Sequence, residues 1–314
     1  MYKKRLVSVI IPAYNEEYLI KKTVDSVPGY VDKIYAINDA STDETLAVLR
    51  KLERSNKKLV VLNPESNGGV GHSIKLGLRE AQEDGMDLAA VMAGDAQMDP
   101  EYLPVLIDNL IDRKLDYVKA NRFLHREALK TMPAYRRIGN IVVTILTKFA
   151  TGYYSIFDTQ NGYVVYSRKA IDQLPYDMLS DRYDYENTVL IGLSIIGARV
   201  GDVAIPALYG EEKSTIKLFS TVAKVLSSLT KGFWKRIFYK YMLYNFHPIA
   251  LFLTSGVLLF GVGTVVGLWI LFERIFGNNV PTSGTVMLAV LPILLGFQLL
   301  LTALTLDVAQ EDRA

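Results

Sequence analysis

The chain has 314 residues, 50% of them hydrophobic, a formal net charge of +2 and a mean hydropathy of +0.18, enough for one sizeable core with apolar sequence to spare. It contains no cysteine, which excludes disulfides, thiolate nucleophiles and zinc–thiolate sites, so that any metal must take oxygen or imidazole ligands. Residues 1–5 lead directly into an apolar strand and not into a cleavable apolar helix, so no signal peptide is expected and the first 240 or so residues should stay in the cytoplasm.

In chain order, residues 6–11 read as a β-branched strand ended by Pro12, and Tyr14-Asn15-Glu16-Glu17 opens a helix to about Val27. A second strand at 34–37 precedes Asn38-Asp39, and the spacing of Ser41 and Glu44 predicts a capping box for a helix to Arg54. A third strand, 59–62, leads through Asn67-Gly68-Gly69-Val70-Gly71 into a helix to Glu83. Residues 87–93 form a short apolar run without helical period, a buried parallel strand stopped at Gly94. Four alternations of strand and helix predict an α/β fold with a parallel sheet whose polar turns gather on one edge.

Asp95 and Gln97 stand just past the carboxyl end of that fourth strand, where open α/β sheets bind ligands. Two oxygen donors spaced i, i+2 can face one hard divalent cation on a diphosphate; a solvated turn capping the next helix fits the two residues equally well. Asp99-Pro100 reads as an N-cap and a first helical residue. Asp39, at a strand end, is placed to accept from the N–H edge of a nucleobase. The glycine-rich turn lets backbone approach a ligand, although glycines also end turns for steric reasons alone.

These motifs together resemble the family 2 glycosyltransferases of the GT-A fold, in particular the dolichyl- or polyprenyl-phosphate sugar synthases. The resemblance rests on Pro12-Ala13-Tyr14-Asn15-Glu16-Glu17, Asn38-Asp39-Ala40-Ser41-Thr42-Asp43, Asn67-Gly68-Gly69-Val70-Gly71 and Gly94-Asp95-Ala96-Gln97-Met98-Asp99-Pro100-Glu101. It continues through Asn121-Arg122-Phe123 and Asp158-Thr159-Gln160-Asn161-Gly162-Tyr163 and covers about residues 5–215. It implies a nucleotide-sugar donor held by Pro12, Ala13, Tyr14, Asn15, Glu16, Asp39, Asn67 and Gly71, with Asp95 and Gln97 binding Mg²⁺ or Mn²⁺. Two departures matter: Asn38 and Ala93 stand where the family often has the first acid of a pair. Losing an oxygen at Ala93 leaves the metal more water or phosphate ligands, which suits Mg²⁺.

A fifth strand at 116–120 ends at Asn121-Arg122. From Pro133, a stripe at Tyr135, Ile138, Ile141, Val142, Ile145, Leu146 and Phe149 follows helical spacing, with Arg136 and Arg137 at its start. Core packing and a membrane-surface helix that receives a lipid phosphate explain it equally well. Residues 163–166 read as a strand crossing back under the site, with Asp158 facing the cleft; 186–196 read as a helix behind the acids Asp181 and Asp184.

Between Lys213 and His247 there are seven Lys or Arg residues and no acid, with apolar positions at helical spacing. The expectation is a pair of amphipathic interfacial helices, interrupted at Lys231-Gly232. Two apolar stretches follow, 249–272 and 285–306, each long enough to span a hydrocarbon core of roughly 30 Å. The basic run's place before a span argues for anionic headgroups and against nucleic acid. One basic residue in the 273–284 loop against seven before the first span places the catalytic domain in the cytoplasm, on a multi-pass protein of the cell membrane. The expected divisions are 1–212, catalytic; 213–247, juxtamembrane; and 248–314, a transmembrane hairpin.

The expected reaction is inverting transfer of one sugar, from GDP-mannose or UDP-glucose/UDP-GlcNAc, to dolichyl or polyprenyl monophosphate. Arg122 and Arg136, with Lys213 as a weaker match, are the candidates to hold the acceptor phosphate. Two other readings stay open. One is transfer to a hydroxyl of a lipid-linked saccharide, with Asp158 or Asp184 as base; the other is a non-catalytic sugar-nucleotide-binding scaffold. Membrane lipids are expected partners, and a homo-oligomer through the membrane segment is compatible with the sequence.

Overall fold

The computed structural model describes residues 1–122, 134–159, 161–182, 184–206, 218–244, 246–277 and 280–311, with side chains left undescribed at 134–140 and 218–224. Two compact units divide the chain, Met1–Phe233 and Trp234–Ala314.

The first unit is built on β1 (Val7–Ala13), α1 (Ile20–Ser26), β2 (Lys33–Asn38), α2 (Thr45–Ser55), β3 (Leu59–Leu62), α3 (Val70–Glu83), β4 (Leu88–Val91) and α4 (Leu103–Asp112). It continues with β5 (Tyr117–Asn121), α5 (Ala134–Thr151), β6 (Val164–Ser167), α6 (Arg168–Gln173), α7 (Tyr185–Ile195), β7 (Val200–Ala204) and most of α8 (Leu218–Arg236), whose last three residues belong to the second unit. The strands form one sheet in the order β3-β2-β1-β4-β6-β5-β7. Every pairing is parallel except those of β6, which runs antiparallel to both β4 and β5. The returning strand expected at 163–166 is therefore β6, and β7 and α6 are additions that no sequence signal marked.

Both faces of the sheet are covered, which is why its strands β1 to β4 read as largely apolar runs. Along β1, Val9 and Ile11 pack on one side with Ile20, Leu49 and Leu106 of α1, α2 and α4. Ile10 points the other way, to Ile74 and Leu78 of α3, in the same layer as Val189 and Leu193 of α7. This layering leaves the loops after β1, β2, β3 and β4 together at the carboxyl edge.

Two local expectations change. The β1 strand runs through Pro12 to Ala13, because Pro12 still offers its carbonyl to Gly94 N–H (3.1 Å) where β4 has already ended. The capping box does not form: Asp43 Oδ1 accepts from Thr45 N–H (3.0 Å), while Ser41 Oγ accepts from Asn15 N–H (3.0 Å). Ser41 is drawn to a partner on another loop, and Asp43, two residues before Thr45, takes the cap.

The apolar stripe of α5 is not core. Ile141, Val142, Ile145, Leu146 and Phe149 are exposed, and Thr147, Ala150 and Thr151 on the opposite side are buried. The expected interruption at Lys231-Gly232 is absent, since α8 continues to Arg236. A Cβ on Gly232 would lie 2.0 Å from Ile191 Cδ1, so this glycine serves close helix packing and not a break.

In the second unit Ile237–Tyr244 winds as a π-helix, followed by α9 (Pro248–Phe276) and α10 (Ser283–Glu311). Both are long and apolar enough to cross a membrane. They pack through small residues, Gly256, Gly263, Ala289, Gly296 and Ala303, and a Cβ at Gly296 would lie 2.5 Å from Phe260 N. Arg236 grips Asp307 with two bonds of 2.8 and 2.9 Å, and Tyr241 Oη donates to the same carboxylate at 2.5 Å. The charged pair is thus satisfied by planar, bidentate contact where an isolated charge would be costly.

Candidate active site

Four loops meet along the carboxyl edge, and each is tied to its neighbour. Asn15 takes φ +58° and its Oδ1 accepts from Thr42 N–H at 2.8 Å, 27 residues away. Glu16 N–H donates to Thr45 Oγ1 (2.8 Å), and Glu17 Oε2 accepts from Glu44 N–H (3.0 Å). Asp39 N–H donates to Ala13 O (2.9 Å), so Pro12 and Ala13 join the second and fourth strand ends to the first. Tyr14 is half-exposed beside them.

Asp39 is 4% exposed, and its two oxygens accept from Gly68 N–H and Gly69 N–H, both at 2.8 Å. Asn67 Nδ2 closes the same contact on Asp39 O (3.0 Å). The carboxylate assigned to the nucleobase is therefore also the clasp of the glycine turn, and its remaining lone pairs are what a base could use. Gly71 needs its missing side chain for close approach, since a Cβ there would lie 2.3 Å from Ser180 O.

After β4, Ala96 takes φ +54°, a left-handed conformation that alanine does not favour, and Ala40 after β2 does the same. Strain of this kind, of order 1 kcal/mol or more per residue, gathers where loops are shaped for a ligand. The Ala96 turn lets Asp95 Oδ1 accept from Gln97 N–H (3.1 Å) and sets both side chains in one cleft. That cleft is lined by Asp95, Gln97, Met98, Asp99, Tyr102, Arg122, Asn161, Gly162, Tyr163, Ile205 and Pro206. Asp99 is a cap as well, accepting from Glu101 N–H at 2.9 Å.

Among the described residues that line the cleft the cation is Arg122, whose guanidinium is gripped by Asp158. Its Nε and Nη2 donate to Asp158 Oδ2 (2.8 Å) and Oδ1 (3.1 Å), and its own backbone N–H donates to Oδ2 (3.1 Å). Asp158 is 1% exposed. It orients Arg122 from below the cleft, while Arg122 keeps a face on the cleft wall. Asp184 is likewise engaged, by Ser180 Oγ and by Ser228 Oγ of α8 (3.0 Å). Arg136 lies in α5 with its side chain outside the described residues, and Lys213 lies outside them altogether.

One further residue belongs to the site's support. Lys119, fully buried on β5, donates to Asn161 O and so braces the 158–163 loop. Burial pushes its pKa down to about 8, opposed by the nearby Glu186, whose own carboxyl burial pushes up. A lysine inside the strand Tyr117-Val118-Lys119-Ala120-Asn121 was the available signal, because lysine is almost never fully buried without a task. Lys119→Met is expected to lower turnover about tenfold by loosening that loop, the equivalent of one charge-assisted hydrogen bond. Steady-state kinetics beside a melting curve checks this; a lower melting temperature with unchanged turnover would make Lys119 structural only.

The donor set at Asp95 and Gln97 is a carboxylate and an amide oxygen, and among the described residues no group of three or more His, Cys, Asp or Glu could cage a metal. Such a set fits a hard cation that takes its other ligands from phosphate and water.

A doubly covered α/β sheet with a carboxylate–amide pair and a buttressed arginine at its carboxyl edge has the architecture of a GT-A transferase. Residues 8–174 match Glycosyl transferase family 2, and the chain belongs to that family and is a glycosyltransferase. It is 30% identical over 220 residues to the UDP-N-acetylglucosamine–dolichyl-phosphate N-acetylglucosaminyltransferase of Methanococcus voltae, covering 66% of this chain and 87% of that protein. It is 24% identical over 307 residues to the dodecaprenyl-phosphate galacturonate synthase of Rhizobium johnstonii, covering 95% and 85%. The fold is shared with glucosyl-3-phosphoglycerate synthase from Mycobacterium tuberculosis, at a TM-score of 0.55 and 20% identity over 73% of this chain and 80% of that one.

Proposed function

We propose that this enzyme transfers one sugar, with inversion, from a nucleotide sugar to a polyprenyl or dolichyl monophosphate at the cytoplasmic face of the cell membrane. Residues 1–212 would be the catalytic domain, 213–247 the basic interfacial segment and 248–314 the membrane hairpin. The observation that carries the reading is the state of the carboxylates. Asp158 and Asp184, the two candidate bases for a hydroxyl acceptor, are both engaged in hydrogen bonds, and Asp158 spends its charge on holding Arg122. With both candidate bases engaged, Arg122 on the cleft wall is the group that an anionic acceptor would meet.

A phosphate monoester has a second pKa near 6, so at neutral pH it is already a nucleophile. One of its oxygens attacks the anomeric carbon as the bond from that carbon to the donor diphosphate breaks, and the nucleoside diphosphate departs with the electron pair. Arg122, with Arg136, holds and screens the acceptor; Asp39, Asn67 and the 12–16 loop hold the nucleotide. Asp95 and Gln97 would hold Mg²⁺ or Mn²⁺, which when bound neutralises charge on the leaving diphosphate.

The test is purified full-length protein with Mg²⁺, a polyprenyl phosphate and labelled UDP-GlcNAc, UDP-glucose or GDP-mannose. Label should pass into an organic-extractable product with one donor. Labelling of an unphosphorylated or saccharide-bearing lipid in place of the monophosphate would overturn the reading. In the same assay Arg136→Ala is expected to lose about ten- to a hundredfold in rate, and Arg136→Lys to recover part of it, keeping the charge without the fork.

A further inference from the structure

We infer that Asp184 is a positioning residue for the donor nucleotide: together with Ser228 of α8 it clamps the 179–182 loop, the wall behind the glycine turn that Asp39 holds. The inference rests on the donor assignment made above for Asp39 and Asn67. Asp184 stands at the N-cap of α7, a place where aspartate ordinarily caps its own helix, yet its side chain accepts no capping bond there. It turns instead to two hydroxyls from outside α7. Oδ1 accepts from Ser180 Oγ in the loop, and Oδ2 accepts from Ser228 Oγ at 3.0 Å, 44 residues further along the chain. Hydrogen bonds to an ionised acceptor are about twice as strong as neutral ones, so this carboxylate is a firm joint between the loop and α8.

What the joint holds is the back of the donor site. A Cβ on Gly69, at φ +99°, would lie 2.5 Å from Asp181 O, so turn and loop are in close backbone contact. His72 N–H donates to Asp181 O (3.1 Å), and Lys75 Nζ donates to Asp181 Oδ1 (2.7 Å) and Leu179 O (3.2 Å), which fastens the loop to α3 just after the turn. Arg182 N–H donates to Ser180 Oγ (3.2 Å), so the hydroxyl that serves Asp184 also orders the residues facing Gly69. On the front of the same turn, Gly68 N–H and Gly69 N–H carry the Asp39 carboxylate. On the far side α8 is seated on α7: Leu229 is buried, and Gly232, one turn beyond Ser228, meets Ile191. A continuous line of contacts thus runs from α8 through Asp184, Ser180 and the turn to Asp39, and α8 is also the helix that leads on to Ile237–Tyr244 and α9. Loosening its α8 end should lower nucleotide affinity and leave the chemical step alone.

The test is calorimetric titration of the full-length protein with UDP and GDP in Mg²⁺, following whichever the parent binds, beside steady-state kinetics and a melting curve. Ser228→Ala is expected to weaken that nucleotide about three- to tenfold and to raise the donor KM equally, with kcat at saturating donor unchanged. Ser228→Thr, which keeps the hydroxyl, should restore the affinity. Asp184→Ala should weaken binding at least as much as Ser228→Ala, and combining the two should change nothing further, because the bond between them is lost only once. Unchanged nucleotide affinity in Ser228→Ala, whatever its melting temperature, would overturn the inference. So would a fall in kcat at saturating donor with affinity intact in Asp184→Ala, which would make Asp184 a base. Asp39→Asn separates this failure from that of the donor assignment. If Asp39→Asn binds the nucleotide as the parent does, both fall together, whereas weakened binding there beside unchanged binding in Ser228→Ala sinks the inference alone.

Discussion

Asp95→Asn is expected to cut turnover by about a hundred- to a thousandfold while the protein folds normally. Asp95 lies beyond the end of β4 on a partly exposed turn, and one of its bonds is from Gln97 N–H, which an asparagine Oδ1 can accept equally well. The substitution therefore keeps this bond of the turn and the size of the side chain while it removes the negative charge. Metal stabilisation of a departing diphosphate is worth several kcal/mol, and each 1.36 kcal/mol is tenfold in rate. The measurement is turnover across a titration of Mg²⁺ and Mn²⁺, with a melting curve for the variant. Activity within tenfold of the parent at saturating metal would remove Asp95 from the cation's ligands.

The sheet was legible because its information is periodic and local. Strands buried on both faces must be mostly apolar, and the run Val7–Ala13, with Ser8 its one hydroxyl, says so without help from the rest of the chain. The reversed direction of β6 was less so, since nothing in the residues 164–167 distinguishes a parallel from an antiparallel neighbour. The loops were legible as places but not as shapes. Ala40 and Ala96 carry positive φ with a residue that announces nothing of the kind, and the bonds from Asn15 to Ser41 and Thr42 are set by tertiary contact. Ser41 with Glu44 obeyed a sound local rule and lost to those partners. Gly232 is the converse case: by local rules a glycine within a helical pattern signals a break, whereas here its missing side chain admits Ile191.

Arg122 and Asp158 are expected to behave as one unit, and this separates a positioning carboxylate from a catalytic base. Arg122→Ala should lower turnover with a lipid phosphate by about a hundredfold, through the loss of a bidentate charged contact. It should also cost roughly 3–5 kcal/mol of stability, because it leaves the Asp158 charge buried without its partner. Asp158→Asn should lower turnover less, about tenfold, since the neutral side chain still accepts one bond from the guanidinium. If Asp158 acts only by orienting Arg122, then adding Asp158→Asn to Arg122→Ala removes nothing further from the rate. It should even restore stability, by discharging the buried site. If Asp158 instead takes a proton from a hydroxyl acceptor, its loss is felt whether Arg122 is present or not, and the two rate effects multiply to about a thousandfold. Turnover and melting temperature of the parent, the two single variants and the double variant complete the cycle. Multiplicative rates with intact donor binding would reject the phosphate acceptor in favour of a hydroxyl, whereas a double variant no slower than Arg122→Ala leaves the phosphate with a fixed arginine as its seat.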